Sequence, residues 1–461
     1  MIIIICCLSL LSIIFPSKKI WRGKDINVFD ILLIANFLYY LLIPIYYYIT
    51  KNSYAMQLVK NGSETFIIIL SFQYIVLLIN IYFSRNKKFT NSILNLSNVF
   101  RKIYNSINSI PKYILILLTI IVFLNFYNKV SFSNLQGKNL SNADMEAVFL
   151  SQSTLADRIN NKLSSLYGIF LYPCLVYGII AIKKTDHKKL KYWGVFIISL
   201  IAMSMLLSSR RPMINMLIFA LLFLHAINAK KLKFSHVYKI ALLLSFVILV
   251  IFPAYQVYRL VKEYTLLNDT NVDIGLVLSE TKKKLSELDV ILEVQESNDN
   301  RSLGLFSALN AAIKSDTSYN GWVFFKSISN IFPGTPSLQD NVEFVTANNF
   351  AHYGADIADS ILMYSVADFK WGGIVFAFIY IYLFVGCYYF IYRVTLRLVN
   401  KNFLLLLIIP SIYSIFISLE SSPFWALKTV FYVTLPNTII AIIVYNFAKN
   451  KSKKTYILSS N

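Results

Sequence analysis

A chain of 461 residues that is 57% hydrophobic and only 15% charged carries more apolar surface than one soluble core can bury, so lipid must be the solvent for much of it. Its formal net charge of +21 invites a nucleic-acid reading. The basic residues, however, fall in short clusters between apolar stretches and leave no basic face on a soluble domain, so nucleic acid is set aside as a partner and the charge reads as a topology signal.

Apolar stretches able to cross about 30 Å of hydrocarbon as helices lie near 2–15, 28–49, 64–83, 113–127, 163–182, 193–208, 213–228, 240–258, 371–392, 403–419 and 426–447, about eleven spans in all. The first, MIIIICCLSLLSIIF, is followed instead of preceded by positive charge, at Lys18, Lys19, Arg22 and Lys24. That is the reverse of a secretory signal, and we read it as a retained span with its N-terminus outside. Cys6, Cys7, Cys174 and Cys387 all lie in apolar runs, which leaves no disulfide framework for an external domain.

Successive loops must alternate sides, and Lys and Arg collect on the cytoplasmic one. One set of loops holds Lys18 to Lys24, Arg85 to Lys102, Lys183 to Lys191, Lys230 to Lys233, Arg393 with Arg397, and the tail from Lys449 to Lys454. The other holds nearly all the acids, from Glu64 to Glu420. The pattern predicts an all-α, polytopic transmembrane bundle with a cytoplasmic C-terminus. Residues 1–258 make its first part with about eight spans, 259–370 an external loop containing short helices, and 371–461 a second part with about three spans and a basic tail.

The hairpin SSRRPMI puts Arg210 and Arg211 in a very short outward turn, with Pro212 starting the next helix. Guanidinium groups there either snorkel to the interface or bind an anion such as phosphate bidentately. Arg259, ending PAYQVYR beside Tyr255 and Tyr258, has the same two readings. Two outward segments, near 128–162 and 259–370, are longer than a span connection needs. In the second, TKKKLSELDVILEVQES places Leu285, Leu288, Ile291 and Leu292 on one stripe, as in an amphipathic helix lying on the membrane or capping the bundle.

Arg301 in NDNRS is a loop charge or a further anion contact, and a less polar stretch with Trp322, Phe324 and Phe325 leads into the turn-rich FPGTPSLQDN. NNFAHYGADIADS then offers His352, the one histidine of the outward segments, with Asp356 and Asp359. These side chains can act as a base toward a sugar hydroxyl, and each equally fits a helix cap or a solvated charge, as do Asp340 and Glu343. The spans hold few ionisable side chains, which counts against an ion-coupled transporter. Phosphate-loop, zinc-protease and paired-cysteine motifs do not occur in the sequence, and we expect neither cofactor nor metal.

The topology and three patches, SSRRPMI, PAYQVYR and NNFAHYGADIADSILMYSVADFKWGGIVFAFIYIYLFVG with its glycine pair Gly372 and Gly373, resemble the Wzy-type oligosaccharide repeat unit polymerases, or O-antigen polymerases. The resemblance implies an enzyme of the bacterial cytoplasmic membrane. It would join undecaprenyl-diphosphate-linked repeat units on the outer side into O-antigen or capsule, with a lipid-linked glycan donor and acceptor, membrane lipid and a chain-length regulator protein as partners. Arg210, Arg211 and Arg259 match family arginines in position and would hold the diphosphate, joined by Arg301, while His352, Asp356 or Asp359 would assist the attacking hydroxyl. O-antigen ligases look similar overall, but their histidine-led motif precedes a span more closely than His352 precedes Gly372 here. A flippase or exporter of lipid-linked sugars is the alternative from another class, and it predicts buried polar residues along a path through the spans.

Overall fold

A computed structural model describes residues 2–49, 60, 62–86, 89, 92–106, 116, 119–127, 155–184, 188–206, 210–228, 301–315, 318–329, 360–399, 401–417, 427, 429–440, 442–443 and 445–446. Every regular element among them is helical. The chain forms two compact units, one of Met1–Ile103 with Leu292–Asn461 and the other of Tyr104–Ile291. Four stretches of the described residues are long and apolar enough to cross a membrane: Ile4–Trp21, Val28–Tyr46, Ser63–Arg85 and Ile361–Thr395.

The first unit opens with α1 (Ile2–Trp21), α2 (Val28–Asn36), a π-helical segment Phe37–Leu42 and α3 (Ile43–Ile49). These are followed by α4 (Ser63–Arg85) and α5 (Leu96–Ser106). Asn27 caps α2 reciprocally: its side chain accepts from the Asp30 amide at 3.0 Å, while Asp30 Oδ2 accepts from the Asn27 amide at 2.9 Å. The expected first span stopped before the lysines, but α1 continues through Pro16 to Trp21, because Lys19 finds a buried partner across the helix pair.

That partner is Asp30, which is wholly buried, and Lys19 itself is only 8% exposed. Lys19 Nζ donates to Asp30 Oδ1 and Oδ2 at 3.0 and 2.9 Å and to Asn80 Oδ1 at 3.2 Å. Asn80 Nδ2 returns a bond to Asp30 Oδ1 at 2.7 Å, so both carboxylate oxygens are saturated. Deeper between the same helices, Gln73 Nε2 donates to Ser12 Oγ and to the Leu33 carbonyl, both at 3.0 Å, and Asn36 donates to Gln73. Polar side chains thus tie α1, α2 and α4 together where lipid offers no competing partner.

Later come α6 (Leu155–Lys184), α7 (Lys188–Leu206) and α8 (Arg210–Asn228), which belong to the second unit. There Gly178 and Gly194 let α6 and α7 meet: a Cβ on Gly194 would lie 2.8 Å from the Gly178 carbonyl. Such small-residue contacts are how helices approach closely in lipid. Ser204 Oγ donates to Asn125 Oδ1 at 2.6 Å. Lys183 Nζ donates to Asn228 Oδ1 at 2.7 Å, so α6 and α8 end together, as strict alternation of loops requires.

The first unit resumes with α9 (Arg301–Lys314), α10 (Trp322–Ser329), α11 (Ile361–Phe369), a 3-10 turn Lys370–Gly372, α12 (Gly373–Thr395) and α13 (Lys401–Ile417). A second π segment, Thr429–Thr434, packs against α13. On α12 the buried face carries Ala377, Phe384 and Tyr388, while Val375, Ile379, Leu383 and Phe390 are exposed. Both faces are apolar, so the outer one is suited to lipid and not to water.

The sequence placed the start of this span at 371, yet the apolar helical stretch begins at Ile361. It is not one straight helix. Lys370 sits at φ 51, the Phe369 ring stacks on Phe376 at 3.7 Å, and Gly373 meets the backbone of Ser365 and Val366. α11 is therefore a short helix, about 13 Å long, folded against the start of α12 and buried over Ile361–Asp368. Hydropathy does not mark it as part of a span, because nine residues are too few to cross a membrane and the acid Asp368 lies within them.

Lys370 holds the bend by donating to the carbonyls of Ala312, at 2.9 Å, and Ser315. Its backbone lies where glycine is preferred. We expect Lys370→Ala to lower thermal stability by about 1–3 kcal/mol, because it loses both bonds and keeps the strain. Lys370→Gly should recover about 1 kcal/mol of that loss. Detergent-solubilised melting curves would show it, and equal melting of the two variants would refute the strain.

Candidate functional site

α9, α10 and α11 converge at the end of the first unit remote from the Lys19–Asp30 pair. α2 and α4 run between the two ends: α4 carries Asn80 near its close, and near its start Thr65 Oγ1 donates to Asn310 Oδ1 of α9 at 3.1 Å. Phe66 packs on Phe306 of α9 with ring centroids 4.7 Å apart, and α9 also packs on the π segment, α3 and α11. Along the path from Asp30, Tyr40 lies about 15 Å up the helix. Its buried hydroxyl donates to Ser360 Oγ, which also caps α11 by accepting from the Met363 amide at 3.0 Å.

At the far side of α11, Asp368 is wholly buried. Oδ1 and Oδ2 accept from the amides of Val323 and Phe324 at 3.0 and 3.2 Å, so a carboxylate from one helix caps the positive end of α10. The tight approach uses Asn320 and Gly321 at φ 47 and 86, and Ser318 Oγ donates to the Asp368 carbonyl at 2.6 Å. The Phe324 ring stacks on Tyr380 at 3.9 Å. These bonds build a rigid floor in which each buried polar group named has a partner.

The sequence-derived site residues distribute as follows. Arg210 and Arg211 open α8, after residues 207–209 separate it from α7. That helix has no acid in its first turn. Its 19 residues span about 28 Å and carry the pair to the opposite end from Lys183 and Asn228. Arg301 opens α9, which likewise has no acid in its first turn. Arg259, His352, Asp356 and Asp359 lie outside the described residues, as do Asp340, Glu343 and the stripe Leu285 to Leu292.

The structure assigns the two arginine-bearing helix starts to different units, α8 to the second and α9 to the first.

No family model matches this chain, and neither does any curated protein or solved structure. Among the described residues no group of three or more His, Cys, Asp or Glu comes together in a way that would hold a metal ion.

Sequence reasoning passed over Tyr40, Ser360, Asp368 and Lys370, which organise this end of the unit. For Asp368 a signal was present. Asn320–Gly321 is a turn dipeptide directly before an apolar run, and such a helix start needs an acceptor for its amides. For Tyr40 and Ser360, which are 320 residues apart, local sequence carries no signal.

Proposed function

We propose that this chain is a membrane enzyme that polymerises oligosaccharide repeat units carried on a polyprenyl diphosphate, at the outer face of the bacterial cytoplasmic membrane. The observation that carries this reading is the placement of Arg210 and Arg211 at the start of α8, a helix length from the lysine-rich end of the same unit. Two cations at the positive end of a helix dipole are unfavourable by about 0.3–1 kcal/mol each. A diphosphate removes that conflict, since it accepts from guanidinium forks and from the open amides of the first turn together.

The chemistry follows from the leaving group. A hydroxyl of the acceptor repeat attacks the anomeric carbon of the growing chain, the bond from that carbon to the diphosphate oxygen breaks, and the electron pair leaves with polyprenyl diphosphate. Arg210, Arg211, Arg259 and Arg301 are the cations for that developing charge. His352, Asp356 or Asp359 takes the hydroxyl proton. The protein otherwise has only to align two bulky chains.

Deleting the gene should leave single capped repeats and no long polysaccharide on gels of surface glycan. Arg210→Ala and Arg211→Ala, made at normal levels, should each cut polymer formation about a hundredfold or more. Unchanged ladders in the deletion strain would end this reading. A second reading, an exporter of lipid-linked sugars, draws on the buried polar chain of Ser12, Gln73 and Asn36 between α1, α2 and α4. Its mark would be labelled lipid-linked repeats trapped on the inner leaflet after deletion.

A further inference from the structure

The exposed side of α10 is aromatic where that of a helix in water would be polar. Trp322 is 50% and Phe325 63% exposed, and their rings lie nearly parallel with centroids 6.4 Å apart. On the 3-10 turn, the exposed Trp371 begins a row that continues with Val375 and Ile379, exposed at successive turns of α12.

The level of α10 is fixed by what it packs against. Just before the helix, a Cβ on Gly321 would lie 3.2 Å from Phe369 Cζ. Phe369 stacks on Phe376, Phe376 and Tyr380 have centroids 6.3 Å apart, and Phe324 of α10 lies flat on Tyr380 at 3.9 Å. Tyr380 is about 10 Å along α12 from Gly373, so α10 runs beside the opening turns of α12 and not beyond its end. Arg393, in the last turn of α12, is about 30 Å from Gly373, the thickness of the hydrocarbon core. With Arg393 at one boundary of that core, Gly373 falls at the other, and α10 occupies the layer just inside it.

That level decides which medium meets the aromatic side. Val375 and Ile379 belong to the outer apolar face of α12, and α10 carries Trp322 and Phe325 beside the same turns. Indole rings are most stable where hydrocarbon gives way to headgroups, with the ring body in an apolar layer and the N–H in a wet one. The sequence of the helix, WVFFKSIS, holds one charge, Lys326, and lysine on an interfacial helix sends its ammonium to the lipid phosphates. We infer that α10 is an interfacial helix, seated with Trp322 and Phe325 at the boundary between headgroups and acyl chains of the leaflet where α12 begins. Asp368 allows that seat, because it satisfies the Val323 and Phe324 amides, which would otherwise need water in a layer that holds little. The seat requires only that the chain resides in a membrane and does not depend on the proposed polymerase activity.

The test uses the full chain in phosphatidylcholine vesicles, with acyl chains brominated either near the carbonyls or near the chain ends as lipid-borne quenchers and iodide as the aqueous one. The fluorescence contributed by Trp322 is the difference between the wild type and Trp322→Phe, which keeps an aromatic ring at the position. Bromine near the carbonyls should lower that contribution at least about twofold, and more than bromine near the chain ends or iodide does. Trp322→Phe/Phe325→Trp moves the reporter along the same face and should give the same order, with circular dichroism confirming that both variants are helical. Stronger quenching by iodide than by either brominated lipid would overturn the seat and make this side a water-facing surface for a glycan or a protein. Strongest quenching by bromine near the chain ends would overturn it as well, as would no quenching by any of the three, since the ring would then lie deep in hydrocarbon or under protein.

Discussion

Replacing Lys19 with methionine is expected to destabilise the chain by about 3–5 kcal/mol, enough to remove most folded protein from a marginally stable domain. The cause lies in what is left behind. Asp30 is wholly buried, and without Lys19 it keeps only the Asn27 amide and Asn80 Nδ2 for a full negative charge. A carboxylate stranded in that way costs more than the pair gains by forming, because desolvation of one ion is then uncompensated.

The double variant Lys19→Met/Asp30→Asn removes both charges and should be milder than Lys19→Met alone. Asparagine can still accept from the Asn27 amide and so retains the cap of α2. Yield of monodisperse protein and melting temperature in one detergent would read both. A Lys19→Met variant that melts with the wild type would show that the pair is not held in a dry interior.

The second large effect concerns Gly373. A Cβ there would lie 2.5 Å from the Ser365 carbonyl carbon and 2.5 Å from Val366 Cα, with the Ser365 oxygen closer still. All are backbone atoms, so no side-chain rotation relieves the clash, and α11 must separate from α12. Gly373→Ala should therefore cost more than about 3 kcal/mol, above the usual range for overpacking. It should also expose α11, whose residues Ile361–Asp368 are all buried.

Gly386 is the control on the same helix. Nothing lies within 4 Å of the Cβ it lacks, so Gly386→Ala should be neutral or stabilise α12 by up to about 1 kcal/mol, the helix preference of alanine over glycine. If the two alanine variants melted alike, the close approach of α11 and α12 would be wrong.

Both effects show how unevenly function and fold are written in the sequence. Gly372 and Gly373 stand out as a pair before an apolar run, and the resemblance noted for the patch rested partly on them. The reason Gly373 is needed, a backbone eight residues earlier folding onto it, is not in that pattern. In the sequence Lys19 is one of a basic cluster and Asp30 an acid at the start of an apolar run, each ordinary by itself. Nothing at either position says that they meet, since the pairing depends on how α1 packs against α2 and α4.

The arginines are a different case. Arg210 and Arg211 stand out because two guanidiniums fall together in a very short turn between two apolar stretches, which can be seen without coordinates. Their place at the start of α8 is likewise readable, from Pro212. What they bind is a question of chemistry that the helix start does not answer, which is why the variants at these two positions matter most for the proposed activity.

Sequence by itself determined that the chain is helical and made for lipid, because in hydrocarbon each backbone amide must be satisfied within its own segment and a run of apolar side chains is then sufficient to specify a helix. Tertiary structure alone decided which polar groups those helices hide and join: Lys19 with Asp30, Tyr40 with Ser360, Asp368 with the start of α10. Such pairs form between segments distant in the chain, and their stability comes from the exclusion of water by surrounding helices, a condition that no local stretch of residues can express.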